Sequence, residues 1–84
     1  MKVLFADQAW DDYLYWQVAD AQVLQRTNEL IKDMLRSPNR GIGKPEPLKR
    51  ALSGYWSRRI TAEHRIVYRV EAQTLLIAQL QYHY

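Results

Sequence analysis

Residues 55–70, YWSRRITAEHRIVYRV, decide the fold of this 84-residue chain. Two runs rich in β-branched and aromatic residues stand on either side of Ala62-Glu63, with charged residues interspersed in each. Such runs, separated by a short polar break, are typical of neighbouring strands. A further break at Ser53-Gly54 and a last apolar run extend the pattern. Residues 48–84 therefore predict three or four mostly antiparallel strands.

Alternation along these strands predicts which side chains face the core. Because successive side chains of a strand point to opposite faces, Ile66, Tyr68 and Val70 form one apolar row, which we assign to the core. The same reasoning gives the core row of the last strand: Leu76, Ala78, Leu80 and Tyr82.

The polar rows carry the candidate site. Arg59, Arg65 and His83 each fall on the polar row of a different strand. If these strands are neighbours, the three side chains meet on one open face of the sheet. Strand order itself is not fixed by the sequence.

The N-terminal part of the sequence has helical spacing. A short opening strand is predicted at Val3 to Ala6, followed by a helix from about Gln8 to Ala19. Asp7 is the expected N-cap, because its carboxylate can accept the free amides of the first turn. The spacing of large apolar side chains assigns three of them to the core: Trp10, Tyr13 and Leu14.

Asp20 is placed to cap a second helix, antiparallel to the first. Its apolar residues recur at helical spacing: Val23, Leu30, Ile31, Met34 and Leu35. Residues 37–47 then hold three prolines and two glycines, which predicts a loop. The expected fold is therefore α+β, a single domain over residues 1–84, with two N-terminal helices packed on a four- to five-stranded, mostly antiparallel sheet.

Composition excludes several classes of protein. The chain has no cysteine, which rules out disulfides and thiolate metal sites. Its longest apolar runs have four residues, far fewer than a membrane span or a signal-peptide core needs. We therefore expect a cytoplasmic protein without membrane attachment.

Charge is unevenly distributed along the chain. Residues 1–35 hold three cations and six anions, whereas residues 36–84 hold nine cations and three anions. The basic part is either an ordinary solvated surface or a surface for a polyanion. Eight of the twelve cations are arginine, whose planar guanidinium suits phosphate and base recognition. This favours nucleic acid as the ligand.

Glu46 has unusual neighbours. Pro45 and Pro47 hold it in an extended segment that can join neither a helix nor a central strand, so its direction is set. Its carboxylate is either a solubilising loop charge or a catalytic group, and the residue pattern alone does not separate the two interpretations.

The two histidines differ in context. His64 is at a predicted turn, where a surface or hydrogen-bonded role is expected, whereas His83 lies between Tyr82 and Tyr84 at a chain end that normally frays unless it is used. A carboxylate, an imidazole and several arginines match metal-free cleavage of RNA. In that chemistry a base takes the 2′-hydroxyl proton, an acid protonates the leaving oxygen and cations hold the phosphorane. No metal-ligand motif is present, and no cofactor is expected.

Specific blocks extend over nearly the whole chain. They are WDDYLYWQ at 10–17, NELIKD at 28–33, GKPEPLK at 43–49, WSRRIT at 56–61, EHR at 63–65 and the closing YHY at 82–84. With these blocks the sequence resembles the YoeB family of the RelE/ParE superfamily of bacterial toxins. The resemblance implies a RelE-like microbial RNase fold.

The resemblance also implies an activity, that of a ribosome-dependent endoribonuclease which cuts messenger RNA in the ribosomal A site and so inhibits translation. It places the general base on Glu46, the general acid on His83 and transition-state stabilisation on Arg65. The implied RNA contacts fall on three further residues: Lys49, Arg59 and Tyr84.

The resemblance implies partners as well. A YefM-like antitoxin would silence the toxin, operator DNA would be reached only through the antitoxin complex, and a homodimer is compatible with the family. Two other hypotheses stay open from the sequence. One is a module that occupies RNA or the ribosome without cutting, and the other is a non-enzymatic partner that binds the antitoxin and tunes repression of its operon.

Overall fold

The structure, a computed structural model, describes residues 1–82 and shows two helices and five strands there. In chain order these are β1 (Lys2–Phe5), α1 (Asp7–Ala19), α2 (Ala21–Arg36), β2 (Glu46–Pro47), β3 (Trp56–Arg59), β4 (Arg65–Glu71) and β5 (Thr74–Gln79), with a 3-10 turn at Arg50–Leu52. The strand order is β1-β5-β4-β3-β2; β1 pairs with β5 in parallel, and the other pairs are antiparallel. The predicted α+β class is confirmed.

The two helices begin differently. Asp20 caps α2 as predicted, since its carboxylate accepts the amides of Gln22 and Val23 at 3.0 and 3.2 Å. The predicted cap of α1 is wrong: Ala6 holds the N-cap position without a side-chain hydrogen bond, and Asp7 is the first helical residue. There its negative charge still interacts favourably with the helix dipole.

The helices run back along each other. The Tyr13 hydroxyl donates to Asn28 Oδ1 at 2.8 Å, across the single-residue break at Asp20. Together they cover one face of the sheet and enclose the core, whose fully buried members are Ala9, Leu30, Met34, Ile66, Tyr68, Leu75, Ile77 and Leu80. Within residues 1–82, neither helix is long and apolar enough to cross a membrane.

Helix α1 buries a different face from the predicted one. Trp10 and Leu14 are 47% and 42% exposed, so their assignment to the core is wrong. The Trp10 ring instead stacks on Tyr13, with 5.9 Å between the ring centroids. The residues of α1 that face the sheet are Ala9, Asp12 and Trp16.

A β-bulge lies between β4 and β5. Val67 opposes Gln79, whereas the next residue, Tyr68, opposes Ile77, which leaves Ala78 as an extra residue in β5. An extra residue reverses the alternation of side chains on either side of it.

The bulge corrects the predicted core row of β5. Before the bulge, Leu75 and Ile77 face the helices, and only beyond it does an even-numbered residue, Leu80, enter the core. Leu76, predicted to face the core, is only partly buried and points to the other face. Tyr82, predicted to lie on the same core row, is 62% exposed, so this assignment is also wrong. Val70 of β4 is 42% exposed, so its assignment to the core is also wrong, whereas Ile66 and Tyr68 are buried as predicted.

A buried arginine joins the helices, the loop and the sheet. Arg58 shares its row of β3 with Trp56 and Ile60, so its side chain enters the core, where it is fully buried. It must therefore be removed from the predicted basic surface. Its Nη1 donates to Asp33 Oδ2 on α2 at 2.6 Å, and its Nε donates to the Tyr68 hydroxyl on β4 at 3.0 Å.

The loop after α2 is folded around this guanidinium. Arg58 donates further hydrogen bonds to the carbonyls of Ser37, Arg40 and Ile42, and the Tyr68 hydroxyl donates to Pro38 O at 2.7 Å. Each nitrogen of the Arg58 guanidinium group therefore has a hydrogen-bond partner, as a buried charge requires.

Two pKa values respond to this arrangement. The hydrogen bond from Arg58, followed by that from the Ile42 amide, lowers the pKa of Asp33 below its usual value. Burial raises the pKa of the Tyr68 phenol, which is therefore neutral and donates its proton. The network thus holds an ionised carboxylate, a guanidinium and a neutral hydroxyl.

Replacing Arg58 by methionine should lower the free energy of unfolding by about 3–5 kcal/mol, because a charge partner buried against Asp33 is lost. Arg36→Met is the matched control. Arg36 pairs with the other oxygen of the same carboxylate at 3.1 Å, but its side chain is 79% exposed. Arg36→Met should lower the free energy of unfolding by only about 0–1 kcal/mol. Urea unfolding measures both, and equal losses would contradict the structural importance of Arg58.

Candidate active site

The sheet face opposite the helices carries the candidate site. One row of directly opposed residues crosses it from the edge inward: Glu46 faces Ser57, Ser57 faces Val67, and Val67 faces Gln79. Ser57 and Val67 are 0% and 2% exposed although no helix covers this face, so longer neighbouring side chains must cover them. Ser57 and Val67 are thus inaccessible to water, and charged side chains surround them.

Glu46 is held at the edge of the sheet. It forms the two-residue strand β2 with Pro47, and proline is tolerated there because an edge strand has an unpaired side. The prediction that it joins no central strand is consistent with this position. Its side chain is 54% exposed, and its Oε1 lies 3.9 Å from Arg65 Nη1.

Arg65 and Arg59 oppose each other directly across β3 and β4. Like charges in this relation repel, so the pair favours an anion between or above them. Arg65 is largely buried, with 12% of its side chain exposed, and its Nε has no hydrogen-bond partner among residues 1–82. Arg59 is exposed. The register therefore brings Glu46, Arg59 and Arg65 onto one face, as alternation predicts for the two arginines.

Lys49 lies just beyond this edge. It is exposed and holds the N-cap position of the 3-10 turn Arg50–Leu52. The turn is closed by hydrogen bonds from Leu48 N to Tyr55 O and from Tyr55 N to Leu52 O, at 2.9 and 3.0 Å. Lys49 thus follows Glu46 by three residues on a tightly folded segment. His83 and Tyr84, the other two predicted site residues, lie outside the described residues.

The last described residues are tied to α1. The Leu80 amide donates to Asp12 Oδ2 at 2.8 Å, and the Trp16 indole donates to Leu80 O at 3.0 Å. Asp12 and Trp16 are buried, and Gln8 donates to the second oxygen of Asp12. The chain leaving β5 is therefore fixed through both the amide and the carbonyl of one residue, Leu80.

Tyr82 is held next to Arg65. Its carbonyl accepts from the Arg65 amide at 3.1 Å, and its amide donates to His64 Nδ1 at 2.8 Å. The hydrogen-bonded role expected for His64 is correct. The chain is thereby brought beside Arg65 immediately before the sequence continues into His83.

An aromatic–cation pair on the open face involves residues that the predicted site does not include. Arg69 lies four residues beyond Arg65 on the same row of β4, and its guanidinium is 5.2 Å from the centre of the Tyr55 ring. It also pairs with Glu71. Alternation places Arg69 on the polar row, but its stacking on Tyr55 depends on the pairing of β3 with β4.

The site offers a carboxylate, guanidinium groups and an ammonium group. Within residues 1–82, no cluster of three or more histidine, aspartate or glutamate side chains has the arrangement of a metal site. Such a set can transfer a proton through the carboxylate and stabilise a phosphate through the cations.

Comparison with known proteins identifies relatives of the same size. A family model described as the YoeB-like toxin of bacterial type II toxin-antitoxin system matches residues 5–84. Toxin YoeB of Escherichia coli K12 is 58% identical over 84 residues and covers 100% of both chains.

Solved structures agree. The YoeB/ParE toxin from Agrobacterium tumefaciens has a TM-score of 0.96 at 50% identity, covering 100% of both chains. The YoeB–YefM complex from Staphylococcus aureus has a TM-score of 0.92 at 45% identity, and a YoeB dimer from the same organism one of 0.93 at 46%; each match covers 100% of this chain and 98% of the other. This chain therefore belongs to the YoeB family of toxins of bacterial type II toxin–antitoxin systems.

Proposed function

We propose that this toxin is a ribosome-dependent, metal-independent endoribonuclease that cleaves messenger RNA in the ribosomal A site and thereby inhibits translation. The observation that carries the proposal is the placement of Glu46 beside Arg65 and Arg59 on one open sheet face. A carboxylate next to two directly opposed arginines is suited to an RNA 2′-hydroxyl and its adjacent phosphate.

The proposed reaction is an in-line transesterification. Glu46 takes the proton of the 2′-hydroxyl, and the 2′-oxygen attacks the adjacent phosphorus. His83 gives a proton to the departing 5′-oxygen, so that one strand ends in a 2′,3′-cyclic phosphate and the other in a 5′-hydroxyl. Arg65, with Arg59 and Lys49, stabilises the charge of the phosphorane, and no redox or metal step is needed.

Two features of the described residues support these roles. Half of the Glu46 side chain is exposed, so a substrate hydroxyl can reach it, and its carboxylate lies 3.9 Å from the Arg65 guanidinium that would hold the phosphate. Arg65 is held rigidly by its burial and still has an Nε donor without a partner among residues 1–82. Tyr84 is proposed to contact the substrate beside His83.

The proposed partners follow the family. The S. aureus relative forms a complex with YefM, and we propose that a YefM-like antitoxin covers the basic face of this toxin with an acidic, partly disordered segment. Operator DNA is then reached only through the toxin–antitoxin complex. The dimer of the same relative supports a homodimer here. The expected site of action is the cytoplasm, where ribosomes translate.

The acid and the base can be told apart with a substrate whose bridging 5′-oxygen is replaced by sulfur. Glu46→Ala and His83→Ala should each slow cleavage of ordinary messenger RNA by about 10²–10⁴-fold. A thiolate leaves without protonation, so His83→Ala should regain most of its rate on the sulfur substrate and Glu46→Ala should not. Single-turnover rates on saturated ribosomes measure this. Recovery of Glu46→Ala alone would reverse the assignment.

Ribosome binding should weaken steeply with salt, because each neutralised phosphate releases counterions. Changing Lys49, Arg59 or Arg65 to glutamine should each lower the slope of log K against log salt by about 0.7–0.9. Lys32→Gln, on the helical side, is the control and should leave the slope unchanged. Binding is measured with a messenger RNA that carries a 2′-deoxynucleotide at the cleaved position. Four equal slopes would reject the basic-face assignment.

Inhibition by the cognate antitoxin should compete with ribosome binding, since both partners use the basic face. Raising the ribosome concentration should therefore raise, in proportion, the antitoxin concentration needed for half inhibition. Co-sedimentation of toxin with ribosomes follows the same competition. A stable assembly of antitoxin, toxin and A site in which cleavage stays blocked would exclude direct occlusion.

A further inference from the structure

His64 is fixed in one orientation by its own backbone. Its amide donates to Thr61 Oγ1 at 3.1 Å, and its carbonyl accepts from the amides of Ile60 and Thr61 at 2.9 and 3.2 Å. These bonds close the turn between β3 and β4. The backbone of His64, from which the imidazole extends, is therefore fixed.

Two aromatic rings pack against the imidazole. The Trp16 indole lies 4.8 Å away at an interplanar angle of 74°, and the Tyr82 ring lies 5.0 Å away at 57°. Trp16 is itself buried and fixed through its hydrogen bond to Leu80 O. The ring of His64 thus has little freedom to rotate, and its Nδ1 is directed at the Tyr82 amide, from which it accepts at 2.8 Å.

Tyr82 has an unfavourable backbone conformation. Its φ is +57°, in the left-handed region that a residue with a Cβ adopts only at a cost in energy. The hydrogen bonds to His64 Nδ1 and from the Arg65 amide are the contacts that stabilise it. Strained residues of this kind persist where surrounding structure holds them, and they cluster at functional sites.

We propose that His64 is a positioning residue for RNA cleavage: its Nδ1 fixes the Tyr82 peptide and so sets the direction in which the chain enters His83. This inference rests on the proposed function, in which His83 is the general acid. His64 touches neither substrate nor reacting atoms. Its Nδ1 accepts only when it carries no proton, so the working form is the neutral tautomer with hydrogen on Nε2. His64 thereby acts on His83 through the backbone of the residue that precedes it, Tyr82.

Three single variants test the acceptor. His64→Asn places an amide oxygen close to the position of Nδ1, whereas His64→Gln reaches the position of Nε2 and His64→Leu has no acceptor. His64→Leu and His64→Gln should lose about 10²-fold in the single-turnover rate, the scale expected for misplacing a reacting group by about 1 Å. His64→Asn should retain most of the rate. The binding constant for ribosomes should be unchanged in all three.

Coupling to His83 distinguishes positioning from a structural role. In a His83→Ala background, adding His64→Leu should slow cleavage by no more than about twofold, because the group it positions is already gone. On the messenger RNA with a 5′-bridging sulfur, His64→Leu alone should recover as His83→Ala does. A structural role predicts instead that the losses multiply and that both substrates are slowed equally.

The outcomes distinguish the general-acid role of His83 from the positioning role of His64. Failure of His83→Ala to recover on the sulfur substrate removes the general acid from the proposed function, while the double variant still reports whether His64 acts through His83. Multiplied losses, or a His64→Asn variant as slow as His64→Leu, overturn the positioning role. Should thermal melting show that His64→Leu does not fold, the Asn and Gln variants, which are both polar, carry the same comparison.

Discussion

The ion pair between Arg58 and Asp33 is the interaction on which the other parts depend. A guanidinium without a partner could not remain in the core, and the chain supplies partners from α2, from β4 and from three carbonyls of the loop after α2. The loop is drawn in so closely that a Cβ on Gly41 would lie 2.0 Å from Asp33 Oδ2. That loop leads directly into Glu46. The buried charge therefore fixes the path of the segment that presents the carboxylate.

The two faces of the sheet differ in composition: one packs against the helices, and the other carries the candidate site. The face under the helices is apolar apart from the Arg58 network. The open face instead carries like charges that lie close together, Arg59 and Arg65. Arg59 opposite Arg65 is unfavourable for an isolated hairpin, and a phosphate bound as proposed above would offset that repulsion. The polypeptide thus tolerates electrostatic cost on one side because packing on the other side offsets it.

Local rules predict those parts of the molecule in which neighbouring residues suffice. The cap at Asp20, the breaks in the second half and the placement of Arg59 and Arg65 follow from single side chains or from alternation. The bulge at Ala78 does not, since it depends on how β4 and β5 pair over their whole length, and it reverses the faces of Leu75 to Ile77. Alternation places Arg58 on the same row as Trp56 and Ile60, but arginine is usually exposed, so the sequence does not indicate that Arg58 is buried. Its burial is explained only by hydrogen-bond partners that are distant in the sequence.

The parallel pairing of β1 with β5 links the two ends of the chain. Lys2 to Phe5 find their strand partner only in Thr74 to Ile77, so β1 has nothing to pair with until nearly the entire polypeptide has been made. Contacts of such long sequence separation form late, because the loop must close first. The sheet is therefore complete only when β5 has paired with both β4 and β1, so the first strand in the sequence is the last that can join the sheet.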